Sequence, residues 1–258
     1  MSSSLMKSFL SGVVLLAAPA ALAGSATSIP AFDAKIAAAR GATSPSGTTV
    51  VRAEMVDALA HFTNYDDGKV DTAERAYLTT KVSDATFLTG VDAEAKTYLT
   101  QFYELNDAAT TAAPLYLNWV QQSPAELYGA SGSLADASEI VEGYIPRGLG
   151  VANQVTLVQS AYETFRTDSA RNFEPITLAE LEETLATRYF GDPVTEAEVQ
   201  GALTYINQIS RNSGRIYQAS WQCNGCGGGP GDLGGYIIAA VSSDRRFVRM
   251  VKVWTWTE

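Results

Sequence analysis

Two cysteines, a single histidine and 28 acidic side chains hold most of the reactive potential of this 258-residue chain, and their spacing limits what they can do. Cys223-Asn224-Gly225-Cys226 follows an apparent strand, Tyr217 to Trp221, which is the setting of a thioredoxin-like redox pair. Such a pair opens a helix whose N-terminus lowers the thiol pKa. Here Gly227-Gly228-Gly229-Pro230-Gly231 cannot form one, and only 32 residues follow Cys226. Zinc would need two further ligands, and His61 is the sole imidazole. In an oxidising compartment Cys223 and Cys226 are therefore expected to close a local disulfide that stiffens the glycine-rich stretch Gly225 to Gly235, an exposed loop and a contact candidate. His61 stands just ahead of an acidic segment, where a histidine in a last helical turn meets the helix dipole. A catalytic pair with Cys226 is the alternative. The chain has no G-x-S-x-G elbow and no HExxH. Carboxylate-only chemistry, as in glycan cleavage, stays open, but no pair stands out among so many acids.

The acids do recur in one pattern. Val70-Asp71-Thr72-Ala73-Glu74, Ile176-Thr177-Leu178-Ala179-Glu180 and Val194-Thr195-Glu196-Ala197-Glu198 share the order apolar, Asp or Thr, any residue, Ala, Glu; Val91-Asp92-Ala93-Glu94-Ala95 is a weaker copy. Asp or Thr followed three residues later by Glu is a capping box, which satisfies the free amide donors of a helix start. Ile176 with Leu181 and Val194 with Val199 add hydrophobic staples.

The first copy carries more. Phe62, Asn64-Tyr65-Asp66-Asp67-Gly68-Lys69-Val70-Asp71 and Glu74, flanked by helical apolar patterns, make residues 51–82 resemble a degenerate EF-hand helix-loop-helix. Gly68 matches the turn glycine and Val70 the apolar position two later. The resemblance implies calcium ligands at Asp67, Asp71 and Glu74. It departs from the family where the first and third ligand positions fall on Thr63 and Tyr65, so it implies weak calcium binding or none, and no other cofactor.

The elements that must position these residues follow from apolar spacing. Gly24 to Pro30 and Gly41 to Gly47 read as flexible links around a short helix, Phe32 to Arg40, within a linker over residues 24–49. Over residues 50–212 the code is helical: Met55, Val56, Leu59 and Phe62, then Val155, Val158, Tyr162 and Phe165, then Leu178, Leu181, Leu185 and Tyr189 each predict one buried face. Pro114 and Pro124 bracket Leu115, Leu117 and Trp119, and Leu134 to Gly143 reads as another short helix. Residues 213–258 change to β, with strands expected at Arg215 to Trp221, Tyr236 to Val241 and Phe247 to Trp256. The expected fold is α+β: a mainly helical N-terminal and central region followed by a C-terminal three-stranded antiparallel meander packed on the helices.

Composition sets the outer limits. With 46% apolar and 18% charged residues the chain can bury a full core, and a net charge of -10 disfavours nucleic acid as a partner. Charge is uneven: residues 211–258 hold six cations against three carboxylates, a local balance of +3. Lys7, the apolar run Phe9 to Ala21 and the small-x-small site Ala21-Leu22-Ala23 read as a secretory signal peptide over residues 1–23, cleaved before Gly24. The expectation is a protein of the periplasm or extracellular space, with no membrane insertion after cleavage.

Together these features favour an exported binding or interaction protein whose partner is an extracellular or envelope protein or a glycan. A secreted carboxylate hydrolase acting on glycans and a calcium-responsive module are the alternatives. Arg245 and Arg246 of the last hairpin are interaction candidates, and Trp254 and Trp256, set on one face by period two, make either an exposed aromatic platform or core.

Overall fold

The computed structural model describes residues 24–66, 68–107, 112–167, 169–170, 172–187, 192–224 and 233–257. Helix α1 (Gly24–Ala39) starts eight residues before the expected Phe32, with Pro30 inside it. The hydroxyls of Thr27 and Ser28 donate to the Gly24 carbonyl at 3.1 and 3.0 Å, and so tighten this first turn of small residues. Helices α2 (Arg52–Leu59), α3 (Thr72–Ser83), α4 (Ala85–Leu88) and α5 (Ala93–Asn106) pack with α1 around Phe32, Met55, Phe62, Leu78 and Leu99.

The chain then alternates between helix and strand: β1 (Tyr116–Trp119), α6 (Pro124–Tyr128), α7 (Ser133–Asp136), β2 (Ser138–Tyr144), α8 (Gln154–Phe165), β3 (Ser169–Ala170), β4 (Glu174–Pro175), α9 (Leu178–Ala186), α10 (Glu196–Ser210), β5 (Ile216–Cys223), β6 (Leu233–Val241) and β7 (Phe247–Thr257). All strand pairs are antiparallel, in the order β1-β2-β7-β6-β5-β3, with β4 also on β5. The α+β class stands, but the expected three-stranded C-terminal meander does not. Strands β5, β6 and β7 are the middle of a seven-stranded sheet that draws its other members from the region expected to be helical.

The correction has a local cause. Of the expected helix Leu134 to Gly143 only the first three residues, within α7 (Ser133–Asp136), are helical. From Ser138 the chain pairs with β7 over seven residues, because Ile140 and Val141 can each fill one face of a sheet buried on both sides. One face carries Ile140, Val251, Ile238 and Ile216 under α6, α7, α9 and α10. The other carries Val141, Met250, Ile237, Ala219 and Trp221 under α8. The face of α8 that reaches the sheet is Leu157, Ala161 and Phe165, while Tyr162, expected inside, is 55% exposed.

Cations on the last three strands and their flanking turns tie these layers together. Arg215 pairs with Glu104 at 2.6 Å, Arg245 with Asp107 at 2.5 Å, Arg249 with Glu142 at 2.9 Å and Lys252 with Glu139 at 2.9 Å. Four cations of the C-terminal segment are thus paired with carboxylates of α5, its C-cap Asp107 and β2.

Candidate functional site

The residues singled out from the sequence are mostly used by the fold itself. Asp71 is the N-cap of α3: its Oδ1 accepts from the Glu74 N–H at 2.8 Å, and Glu74 Oε2 accepts from the Asp71 N–H at 2.7 Å. The Ser28 hydroxyl of α1 donates to Glu74 Oε1, and Glu74 is wholly buried. Gly68 has the positive φ of a turn glycine, +79°, and its carbonyl accepts from Asn172 Nδ2 at 2.6 Å. Asp67 lies outside the described residues. Among the described residues no group of three or more His, Cys, Asp or Glu side chains is placed to hold a metal ion.

Arg245 and Arg246 are likewise internal fasteners. Arg245, in the left-handed region at φ 57°, donates to Asp107 and to the carbonyls of Glu104 and Ala152, and Arg246 donates to the Ile145 carbonyl at 2.7 Å. They are therefore spent on holding the β6–β7 turn against α5 and the segment after β2. Trp254 is 37% exposed, beside Lys252, whose ammonium lies 4.4 Å from the centre of the Trp221 ring and 5.5 Å from that of Trp254. The register shifts between Gly234 and Gly235, which leaves Trp254 opposite Gly235 and Trp256 opposite Gly234. Cys223 ends β5 as a buried residue, its Sγ 3.7 Å from the Arg166 carbonyl oxygen. Cys226 and the glycine stretch after it, up to residue 232, lie outside the described residues. His61 sits in the turn after α2, with its ring centre 5.0 Å from that of Tyr65.

Side chains left over from folding gather elsewhere. Antiparallel register aligns Asn118 of β1 with Glu142 of β2 and Arg249 of β7, and the next row aligns Tyr116, Tyr144 and Phe247. Residues directly opposite in a ladder share a face, so a polar row and an aromatic row lie side by side on the face that α10 covers further along. Tyr116 and Tyr144 are 55% and 54% exposed, with ring centres 6.3 Å apart. Asn118, Glu142 and Arg249 of the polar row, with Tyr144 and Phe247 of the aromatic row, line an open groove of about 690 Å³, and Tyr116 flanks it beside Tyr144. Tyr205 and Gln208 of α10 line one side, and Gln121 and Gln122, on the connection into α6, with Glu126 of α6 itself, line the other.

Two glycines permit this construction. A Cβ on Gly143 would stand 1.8 Å from the Tyr116 carbonyl oxygen, so only glycine lets β1 close onto β2 there. A Cβ on Gly201 would stand 1.9 Å from the Tyr128 carbonyl oxygen, so glycine also lets α6 lie against α10.

The groove's charges are fixed in place. Arg249 donates to Glu142 Oε2 at 2.9 and 3.0 Å and to the Tyr205 carbonyl, and its guanidinium lies 3.6 Å from the centre of the Tyr205 ring. The backbone N–H and then the hydroxyl of Ser123 hold the Glu126 carboxyl below the ordinary carboxylate range.

No known protein family, curated protein or solved structure matches the chain. The groove therefore has to be read from its own geometry. No helix of the described residues is long and apolar enough to cross a membrane.

Proposed function

We propose that the protein is an exported binding protein whose groove takes a neutral glycan. The observation that supports this most is the aromatic row of the exposed Tyr116 and Tyr144 and the half-buried Phe247 lying beside the polar row Asn118, Glu142 and Arg249. A sugar ring has one apolar face of C–H bonds and a rim of hydroxyls. Its C–H face matches the electron-rich face of a tyrosine. Its hydroxyls match carboxamides and a carboxylate, with charge-assisted hydrogen bonds to Glu142 and Arg249 the stronger ones. The groove volume falls within the roughly 300–1,000 Å³ of small-molecule sites. Calorimetric titration of the processed protein with neutral oligosaccharides should give enthalpy-driven saturable binding. No heat from any of them, with capture of a protein partner instead, would move the reading to a protein ligand.

Export rests on the N-terminal signal pattern and implies an oxidised Cys223–Cys226 pair. Thiol labelling of the exported protein without reductant is expected to find no reactive cysteine. Two labelled thiols per chain would contradict it.

A further inference from the structure

The start of α1 lies on a carboxylate corner. A Cβ built on Gly24 would stand 3.1 Å from Asp71 Oδ2 and 3.5 Å from Asp66 Oδ2, so the first residue of the helix is beside both groups. The Ser25 N–H is 3.4 Å from Asp71 Oδ2, and the Ser28 hydroxyl bridges the Gly24 carbonyl and Glu74. Asp66 Oδ2 is buried and has no hydrogen-bond partner among the described residues. None of the described ion pairs reaches Asp66, Asp71 or Glu74. A buried carboxylate oxygen without a donor is costly and calls for a cation or a proton.

The sequence supplies one at this position independently of the fold. The small-x-small site ends at Ala23. Hydrolysis of the Ala23–Gly24 amide by a signal peptidase adds water across the bond, leaving a carboxylate on Ala23 and an amine on Gly24 that is protonated at neutral pH. We propose that this cleavage arms a latch, in which the α-ammonium of Gly24 seats between the carboxylates of Asp66 and Asp71 and locks α1 onto the α2–α3 hairpin. The latch rests on the export reading and adds to it a structural consequence of processing. A helix N-terminus adds its own positive end to the same corner. In the uncleaved chain burial, reinforced by the charges of Asp71 and Asp66, outweighs the Ser28 hydroxyl and pushes the Glu74 carboxyl up; a fixed cation relieves that repulsion.

The test compares the processed protein beginning at Gly24 with the same chain acetylated on its α-amine. Acetylation is expected to lower the melting temperature by several degrees. Titration of the ¹⁵N-labelled α-amine should place its pKa at least about one unit above the ordinary value of roughly 7.7–8.0. Asp66→Asn should lower the melting temperature of the free-amine form and leave the acetylated form unchanged or raised. Equal melting temperatures with an unshifted amine would overturn the latch while leaving export intact, and stabilisation of both forms alike by calcium would assign the corner to a metal instead. A mature chain beginning elsewhere than Gly24 would overturn the latch together with the cleavage site.

Discussion

The capped carboxylates of the helix starts and the groove across β1, β2 and β7 put similar residue types to opposite uses. Glu74 and Glu198 are both wholly buried and close helices α3 and α10 with the same capping box. In the groove Asn118 and Tyr144 keep polar atoms on an exposed surface, and Glu142 is half-buried beside Arg249. Regular spacing in this chain marks side chains that the fold consumes. Side chains free to meet a ligand come from strands more than 100 residues apart and follow no motif.

The capped glutamates also differ from each other, because a buried carboxylate is governed by its count of donors. Glu198 accepts from the Thr195 N–H and hydroxyl and from the N–H groups of Leu134 and Ala135, between 2.9 and 3.2 Å, and so joins the starts of α7 and α10. Burial pushes its carboxyl up, but these donors together outweigh it and hold the group below the ordinary range. Glu74 has fewer donors and two acidic neighbours, and its carboxyl is pushed up.

The largest expected effect is on Glu198. Glu198→Ala strands several buried N–H groups and should cost on the order of 3 kcal/mol in unfolding free energy, measured by denaturant titration, with glycan affinity unchanged. A loss of affinity without a loss of stability would erase the division between structural and exposed carboxylates. The two glutamates should next separate by pH, in chains that keep a residue before Gly24. Glu198, with its folded pKa depressed, contributes stability above its unfolded pKa of about 4.3 that is lost as pH falls through the folded value. Glu74, with its folded pKa raised, contributes stability below about 4.3 that is lost as pH rises through the folded value. Glu198→Gln should therefore flatten the acid limb of the pH–stability curve, and Glu74→Gln the limb above it. Parallel curves for the two variants would show that donor count does not govern them. The smallest expected effect is that of calcium, since Asp71 and Glu74 already serve as caps: titration calorimetry should show no tight site, and submicromolar affinity abolished by Glu74→Gln would restore a metal role to the loop.

How much of this was legible in the sequence depended on range. The boxes at Asp71, Thr177 and Thr195 are local and stand where their spacing predicts. The β-branched and aromatic runs of β5, β6 and β7 were equally visible. Strand β2 was not, because Leu134-Ala135-Asp136-Ala137 favours helix and the strand exists through pairing with β7, more than 100 residues later. In helix α8 the apolar spacing points to Val155, Val158, Tyr162 and Phe165: Phe165 is buried and Val158 packs at the edge of the core, but Tyr162 is exposed, because Leu157 and Ala161 fit a helical period with Phe165 equally well and take the centre of the face. The small, polar composition of Gly24 to Pro30 gives no sign that α1 begins at Gly24, because it cannot show the Glu74 acceptor that meets Ser28. The groove gave no signal at all: Tyr116, Tyr144 and Phe247 become neighbours only once the register is known.

Tyr144→Ala tests the central claim most directly, because Tyr144 is the exposed middle of the aromatic row and contributes little to the core. Calorimetric titration of the variant with the oligosaccharide that binds the unaltered protein best should show affinity reduced at least about tenfold, a loss of roughly 1.4 kcal/mol, at an unchanged melting temperature. Undiminished affinity at an unchanged melting temperature would contradict the assignment of the groove as the glycan site.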